Sequence, residues 1–505
     1  ARDLASNTSK ASNEVSATPR GIIYVDVGNG SDASGSGALA APYSTIQHAI
    51  NQAVSGDTIY VKPGTYQENF DLGGKWISLR STDGKDVTFL SSNGSGTVIT
   101  AETGEESNTE VVSFTIKDAS TGISIGSDEE VTIRDCYITD TNYPIEVYAD
   151  NDINLFNITL GLNGLQAVKM NGETIGFDNS NTTRTWNINN LTVNPEGDLD
   201  VRSTNNTGTA TLKIVGNAEL ALNEGKNIIV GGADYNKRGA LSATGVTFTA
   251  LDTSLGWGGI YFSDYSEDGS SLIDSCIIEY ADDGIYCASA SPTITNSTIR
   301  NNEDGIFADS NSEPMITGNT FTGNGRPISI YNHRIDENIY GNTYSGNTKN
   351  YIEVTVISLT ENRTYTWKKD GAPYLMMDSF SVERANNAQQ LTTLKIENGA
   401  TVMFKDGDKL YVGSNSRSYT GSLSATGVTF TAQDTSFGWG GIYFSSYSDD
   451  ASCLLDSCTI ENATDGIYCA SSSPTITNCT IQNNTDGIDA DSGSQPTITG
   501  NTFTG

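Results

Sequence analysis

Positive charge is scarce in this chain: 28 Lys and Arg stand against 61 Asp and Glu, a formal net charge of −33. Binding a phosphate backbone needs a basic surface, so nucleic acid and anionic membrane are excluded as partners, and cations become the natural companions. Histidine is nearly absent, with His48 and His333 the only two, so a histidine-based triad has at most one centre to form around. No run of 18 apolar residues exists, and nothing reads as a membrane span. Seven cysteines make an odd count without a C-x-x-C pair, which indicates neither a zinc site nor a disulfide framework. The opening "ARDLASNTSKASNEVSATPR" has no apolar core and looks like a mature start after signal removal. Together with several Asn-X-Ser/Thr sequons, it favours an exported, cell-surface protein.

What is abundant is repetition. Residues 239–323 and 421–505 align without a gap and are identical at 66 of 85 positions, and "GWGGIYF" stands at 256–262 and again at 438–444. "TLKI" at 211–214 returns at 393–396 with the same offset of 182, so the unit is about 180 residues long. Gly505 matches Gly323, after which copy one continues, so a longer natural chain is expected. Inside each copy a shorter period is marked by a small residue or proline followed by an aliphatic one. The marks are Gly122-Ile123, Pro144-Ile145, Gly164-Leu165, Gly259-Ile260, Gly284-Ile285, Gly305-Ile306 and Pro327-Ile328, then Gly441-Ile442, Gly466-Ile467 and Gly487-Ile488. Between them lie short alternating strands such as "PTITNSTI", with no room for a helix.

A period of about 22 residues carrying three short strands predicts an all-β fold, a single-stranded right-handed parallel β-helix in which each period makes one turn. Asn296 with Asn319, and Asn478 with Asn501, recur 23 residues apart and predict an asparagine ladder. Inward Ile285, Ile306 and Ile328 predict the core. Cys287 and Cys469 also read as inward, and Cys458 and Cys479 fall on neighbouring turns at a separation suited to a disulfide. The coil is entered through "YSTIQHAINQAVSGDTIYVKPGTYQENF", which places Ile46, Ala49, Ile50, Ala53 and Val54 on one face of an amphipathic cap helix. The divisions expected are a polar arm at 1–22, the capped start of the coil at 23–100, further turns at 101–170, copy one at 171–352 and copy two at 353–505. The arm is expected to pair with a neighbouring subunit by strand addition, or to be an unordered terminus.

That opening segment resembles the start of the pectin-lyase-like superfamily, and the "GWGGIYF" and "DGIYCAS" repeats resemble those of large exported surface proteins of bacteria and archaea. The resemblance extends over nearly the whole chain after residue 22 and implies the fold. For activity it implies several options, since lyases, hydrolases, esterases and adhesins share the coil. In pectate-lyase-like enzymes aspartates hold Ca²⁺ and an arginine or lysine takes the proton next to the uronate carbonyl. Here Asp283, Asp304 and Arg326 precede the mark on three successive turns, and the resemblance casts Arg326 as that base. Ordinary Asp-Gly turn chemistry is the alternative.

Two further sets read from the residues themselves. If Ile260 and Ile285 face inward, Tyr261, Tyr286 and Phe307 face out, matched by Tyr443 and Tyr468 with Trp257 and Trp439 beside them. These rings would stack on sugars or pack beneath neighbouring loops. Glu267 and Asp268, with Asp449 and Asp450 in copy two, are paired carboxylates suited to Ca²⁺, or else solvated loop acids. The functional expectation is an extracellular structural or adhesive surface protein that assembles into a layer or filament or mediates attachment, through self-association or other surface proteins. The alternative is a carbohydrate-active protein, either a Ca²⁺-dependent polysaccharide lyase or a glycan-binding module.

Overall fold

The computed structural model describes residues 21–505 except 106–107, 173, 176–181, 205–207, 233–236, 332–337, 385–390 and 415–418. The first twenty residues of the arm and His333 lie outside the described residues. Two compact units form, Ala1–Glu146 with Ile153–Gln166 and Val147–Asp152 with Ala167–Gly505.

In the first unit the strands Ile22–Val25, Thr58–Val61, Ser78–Ser81, Thr109–Val112, Val131–Arg134 and Ile153–Phe156 stack in parallel register. Alternation sends Ile59, Leu79, Val111, Ile133 and Leu155 into the core, where all are fully buried. The expected helix spans Ile46–Gln52. Its start is fixed by the Thr45 side chain, which accepts from His48 N, and by Glu68, which accepts from Ile46 N and Gln47 N at 2.8 and 3.0 Å. Its end is met by Lys75 Nζ, which donates to Ile50 O at 2.7 Å. Ile46, Ala49 and Ile50 are buried as expected. Val54 is not: the helix stops at Gln52, the backbone turns extended at Ala53, and Val54 is 55% exposed.

The second unit contains a 14-stranded parallel sheet running from Thr174–Ile175 to Thr502–Thr504. Thirteen turn-to-turn steps at the parallel strand spacing give it a length of roughly 60 Å. Through copy one each turn places one strand on each of three sheets. The marks explain themselves by close approach: a Cβ on Gly284 would lie 2.6 Å from Gly305 O, and one on Gly305 would lie 2.5 Å from Pro327 O. At these two positions only glycine, with no Cβ, lets successive turns meet. Gly164-Leu165 departs from the pattern, since it forms no strand and Leu165 is only half-buried.

The asparagine ladder exists, displaced by one residue. Asn319 accepts from Ser297 N at 2.9 Å and donates from Nδ2 to Asn342 Oδ1 at 3.2 Å, while Asn296 turns outward, left-handed, toward Asp274. Likewise Asn501 accepts from Cys479 N, not from Asn478. A second ladder, Asn302–Asn324–Asn347, runs along the next corner. All seven cysteines are buried and free.

Three strands to a turn are kept here, since the 14-stranded sheet runs from Arg326–Ile330 through Ile352–Val354 to Tyr374–Met376, but two sheets end at Ile339–Tyr340 and Thr343–Ser345 and two six-stranded sheets begin at Ser358–Leu359 and Thr364–Trp367. The two copies lie 22 strands apart, one more than seven whole turns of three. As a result Gly259–Phe262 belongs to the 14-stranded sheet, whereas its copy Gly441–Phe444 belongs to a six-stranded one. Identical sequences therefore sit on different sheets.

Candidate functional site

The strands Gly259–Phe262, Asp283–Cys287, Asp304–Ala308 and Arg326–Ile330 lie side by side, and their register pairs Asp283 with Asp304 and Asp304 with Arg326, as expected from the spacing. Arg326 grips Asp304 with Nε and Nη2 on its two carboxylate oxygens. Its Nη1 reaches Glu353 Oε1 at 3.4 Å. Glu353, which sequence reasoning missed, is 2% exposed and also has Lys349 Nζ at 3.9 Å from its other oxygen. Its signal was available: "YIEV" follows the inward pattern of the strand before it, with an acid where copy one has Tyr286 and Phe307.

This geometry works against Arg326 as a base. The hydrogen-bonded Asp304 carboxylate, with Glu353 behind it, pushes the guanidinium further from deprotonation. Asp283 behaves differently: burial, and then the neighbouring Asp304 charge, push its carboxyl up to about 6. Its counterpart Asp465 has Lys409 Nζ at 3.9 Å.

The outward aromatics form the expected row but spend their faces on one another. Tyr261 and Tyr286 stack at 5.1 Å with 7° between planes, Tyr286 and Phe307 at 4.9 Å with 5°, and Phe307 leans on Tyr331 at 5.3 Å. Tyr443 and Tyr468 repeat the stack at 5.1 Å and 12°. Rings inside this stack, between two neighbours, turn edges and not faces to solvent. Trp257 and Trp439 are not part of it: they are 1% and 0% exposed, and their Nε1 groups donate to Glu279 O and Glu461 O at 2.8 and 2.9 Å. They pack in the core and anchor the loops before them.

The acidic loops are engaged as well. Glu267 pairs with Arg238, and Asp268 Oδ1 accepts from Ser266 Oγ at 3.0 Å and from Ser291 N at 2.8 Å. In copy two Asp450 Oδ1 accepts from Ser448 Oγ at 3.0 Å, and Asp449 begins a short 3₁₀ turn. Among the described residues no group of three or more His, Cys, Asp or Glu converges on a cation-sized site.

A groove that sequence reasoning missed lies in the first unit. Its volume is about 250 Å³, and Asp57, Trp76, Ser78 and Glu110 line it. Glu110 accepts from Ser78 Oγ at 2.7 Å, from Arg134 Nη2 at 3.1 Å and from Arg80. Burial pushes its carboxyl up, but the hydroxyl and the two guanidiniums outweigh it and hold the carboxyl low. Asp57 is spent on Gly21 N and Val54 N. Alternation within "ISLRS", "TEVV" and "VTIRD" was the readable signal, since each sends its polar residue to one outer face.

The family model described as "Right handed beta helix region" matches residues 231–388 and 380–505, together more than half of the chain. The chain belongs to the right-handed β-helix family. Among curated proteins this β-helix protein is similar to the uncharacterized protein YwoF of Bacillus subtilis (strain 168), 31% identical over 139 residues, covering 26% of this chain and 28% of YwoF. It thus spans well under a third of that relative. Among solved structures it is similar to a pectin methylesterase from carrot, at 13% identity and a TM-score of 0.21, covering 66% of this chain and 85% of that one. It is also similar to the PL6 family alginate lyase AlyGC, at 11% identity and a TM-score of 0.22, covering 90% and 98%. Superpositions this loose carry no argument about activity. In this β-helix protein, then, the arginine, the ladder rings and the loop acids Glu267, Asp268 and Asp450 are engaged within the fold, and Asp283 is a carboxyl pushed up to about 6.

Proposed function

We propose that the chain is an extracellular structural and adhesive surface protein, a β-helical scaffold whose copied modules present surfaces for assembly or attachment. The observation that carries this reading is the closure of the Asp304–Arg326–Glu353 network, in which two carboxylates hold the best placed base in its charged form. Duplication supports it, because added modules extend a scaffold. The short helix Ile46–Gln52 fits the same reading as a cap over the first turns, shielding strand edges from wrong partners.

Negative-stain microscopy of the native material, with and without a Ca²⁺ chelator, tests this. Ordered layers or filaments support assembly, and their loss on chelation places cations at contacts between copies. Separate particles together with an active lyase or hydrolase refute it. Asp283 favours a second, carbohydrate-active reading, since a carboxyl near 6 suits a general acid. On the structural reading, Arg326→Ala releases no less unsaturated uronate from acidic polysaccharide than the parent, both being at background. Activity in the parent that falls a hundredfold or more in the variant would establish the second reading.

A further inference from the structure

The loop before each buried tryptophan is built alike in both copies and carries a different residue at its tip. In copy two, Asp434 Oδ1 accepts from Ser436 N at 2.9 Å, and Phe437 N and Gly438 N donate to Asp434 O at 3.3 and 3.2 Å. Gly438 takes the left-handed conformation at φ 79°. The next residue, Trp439, fastens the loop to the core, its ring stacked on Phe404 at 4.3 Å and 8°. The loop is thereby held while Phe437 stands 70% exposed at its tip. Burial is the usual fate of such a side chain, and Phe503 at 52% is the next most exposed ring among the described residues.

Beside Phe437 runs a groove of about 210 Å³, lined across the following turns by Asn462, Thr464, Asn483 and Thr485. Asn462 Nδ2 is fixed on Thr431 Oγ1 at 3.1 Å, while Thr464, Asn483 and Thr485 are exposed. The lining carries hydroxyls, amides and one ring, and no charge. Copy one supplies an internal contrast. The loop hydrogen bonds recur there, with Ser254 N on Asp252 Oδ1 at 2.9 Å, but Leu255 replaces Phe437, Tyr280 replaces Asn462, Asp282 replaces Thr464 and Glu303 replaces Thr485. Four of the nine lining positions differ between copies, against 19 of 85 overall, so the copies diverge here about twice as often as elsewhere. Asp282 and Glu303 are exposed in copy one with the following turns in place, so the groove stays open under a continued coil.

We propose that the Phe437 groove binds one residue of a neutral saccharide. The polarised C–H groups on a sugar face suit the negative face of a free ring, and the amides and hydroxyls suit its hydroxyl groups. An anionic sugar would meet the field of a chain of net charge −33 with no cation in the groove. In copy one the ring is gone and two carboxylates stand at the rim, so a single site per chain is expected. This deepens the attachment reading above and rests on it. Binding is read on the purified chain and assembly by microscopy, so each can fail without the other.

The test is calorimetric titration of the full chain with neutral hexaoses of glucose (α-1,4 and β-1,4), mannose and N-acetylglucosamine, and with hexagalacturonate as the acidic comparison. At least one neutral hexaose should bind at one site per chain, with a Kd of about 0.1–1 mM, as fits a single open ring contact. Phe437→Ala should weaken binding at least tenfold, and so should Thr464→Asp with Thr485→Glu, which copies the charges of the first module. All three side chains are exposed, so both variants should melt with the parent. The proposal is overturned if no neutral hexaose binds, if hexagalacturonate binds better, or if Phe437→Ala binds unchanged. It is equally overturned if sedimentation shows Phe437-dependent self-association without sugar binding, which would assign the ring to contacts between copies.

Discussion

At Asn324 the coil depends on one side chain. It is fully buried, donates to Ile299 O at 2.9 Å and Asn347 Oδ1 at 3.1 Å, and accepts from Asn302 N and Nδ2 at 3.0 and 3.1 Å. Asn324→Ala strands the Asn302 donors and the Ile299 carbonyl away from water, and should cost about 3 kcal/mol in urea unfolding. An effect below about 1 kcal/mol would mean that water replaces the rung. Asp283 makes a different residue-scale prediction. Its carboxyl sits at about 6 in the folded chain and near 3.8 when free, so the folded state holds the proton more tightly. Its contribution to stability is present below about 4 and is lost as the pH rises through 6. Asp283→Asn should therefore melt above the parent at pH 7 and level with it at pH 3.5. Equal differences at both pH values would show that Asp283 titrates normally.

At the scale of the strand, the aromatic row is a packing device. Tyr286→Ala opens a gap between Tyr261 and Phe307 and should cost about 1–3 kcal/mol, whereas Tyr286→Phe keeps the stack and should stay within about 0.5 kcal/mol. A large loss from Tyr286→Phe would give the phenol an unseen partner. This row also shows what the sequence could and could not reveal. A period of two places Tyr286 outward and stacks it on its neighbours, and both hold in the structure. Whether rings in a row show faces or edges depends on rotamers set by turn-to-turn contact, which no single-strand pattern encodes. The same limit moved the ladder from Asn296 to Ser297 and Asn319: both candidates follow an inward Ile closely, and only the corner geometry selects the buried one. Trp257 read as outward because it precedes the strand, but the αL turn at Gly256 swings it inward. The Asp283–Asp304–Arg326 column was legible because spacing alone sets register; Glu353 had a readable place in "YIEV" but falls in the column of Phe307 and Ser329, so the column of acids did not point to it.

The change of sheets after Thr343–Ser345 governs the second unit's larger architecture. From Arg238–Thr244 to its copy Gly421–Thr426 the chain advances 22 strands, seven turns of three and one strand more. Neighbouring turns contact only each other in a solenoid, so the junction after Arg238 meets nearly the same residues whether copy one or copy two follows. Deleting residues 239–420 should therefore leave a folded chain whose second unit is shorter by about 34 Å, seven turns at the parallel spacing. Scattering of the deletion variant measures the shortening, and circular dichroism measures retained strand. Because the one-strand offset between the copies goes with the deletion, Gly441–Phe444 should pair directly above Asn227–Val230 and rejoin the long sheet. A cysteine pair at Ile229 and Tyr443, in register only in the shortened chain, would crosslink there and not in the parent. Crosslinking in neither chain, with the fold kept, would mean that the displaced sheet is a property of copy two and not of the one-strand offset that precedes it.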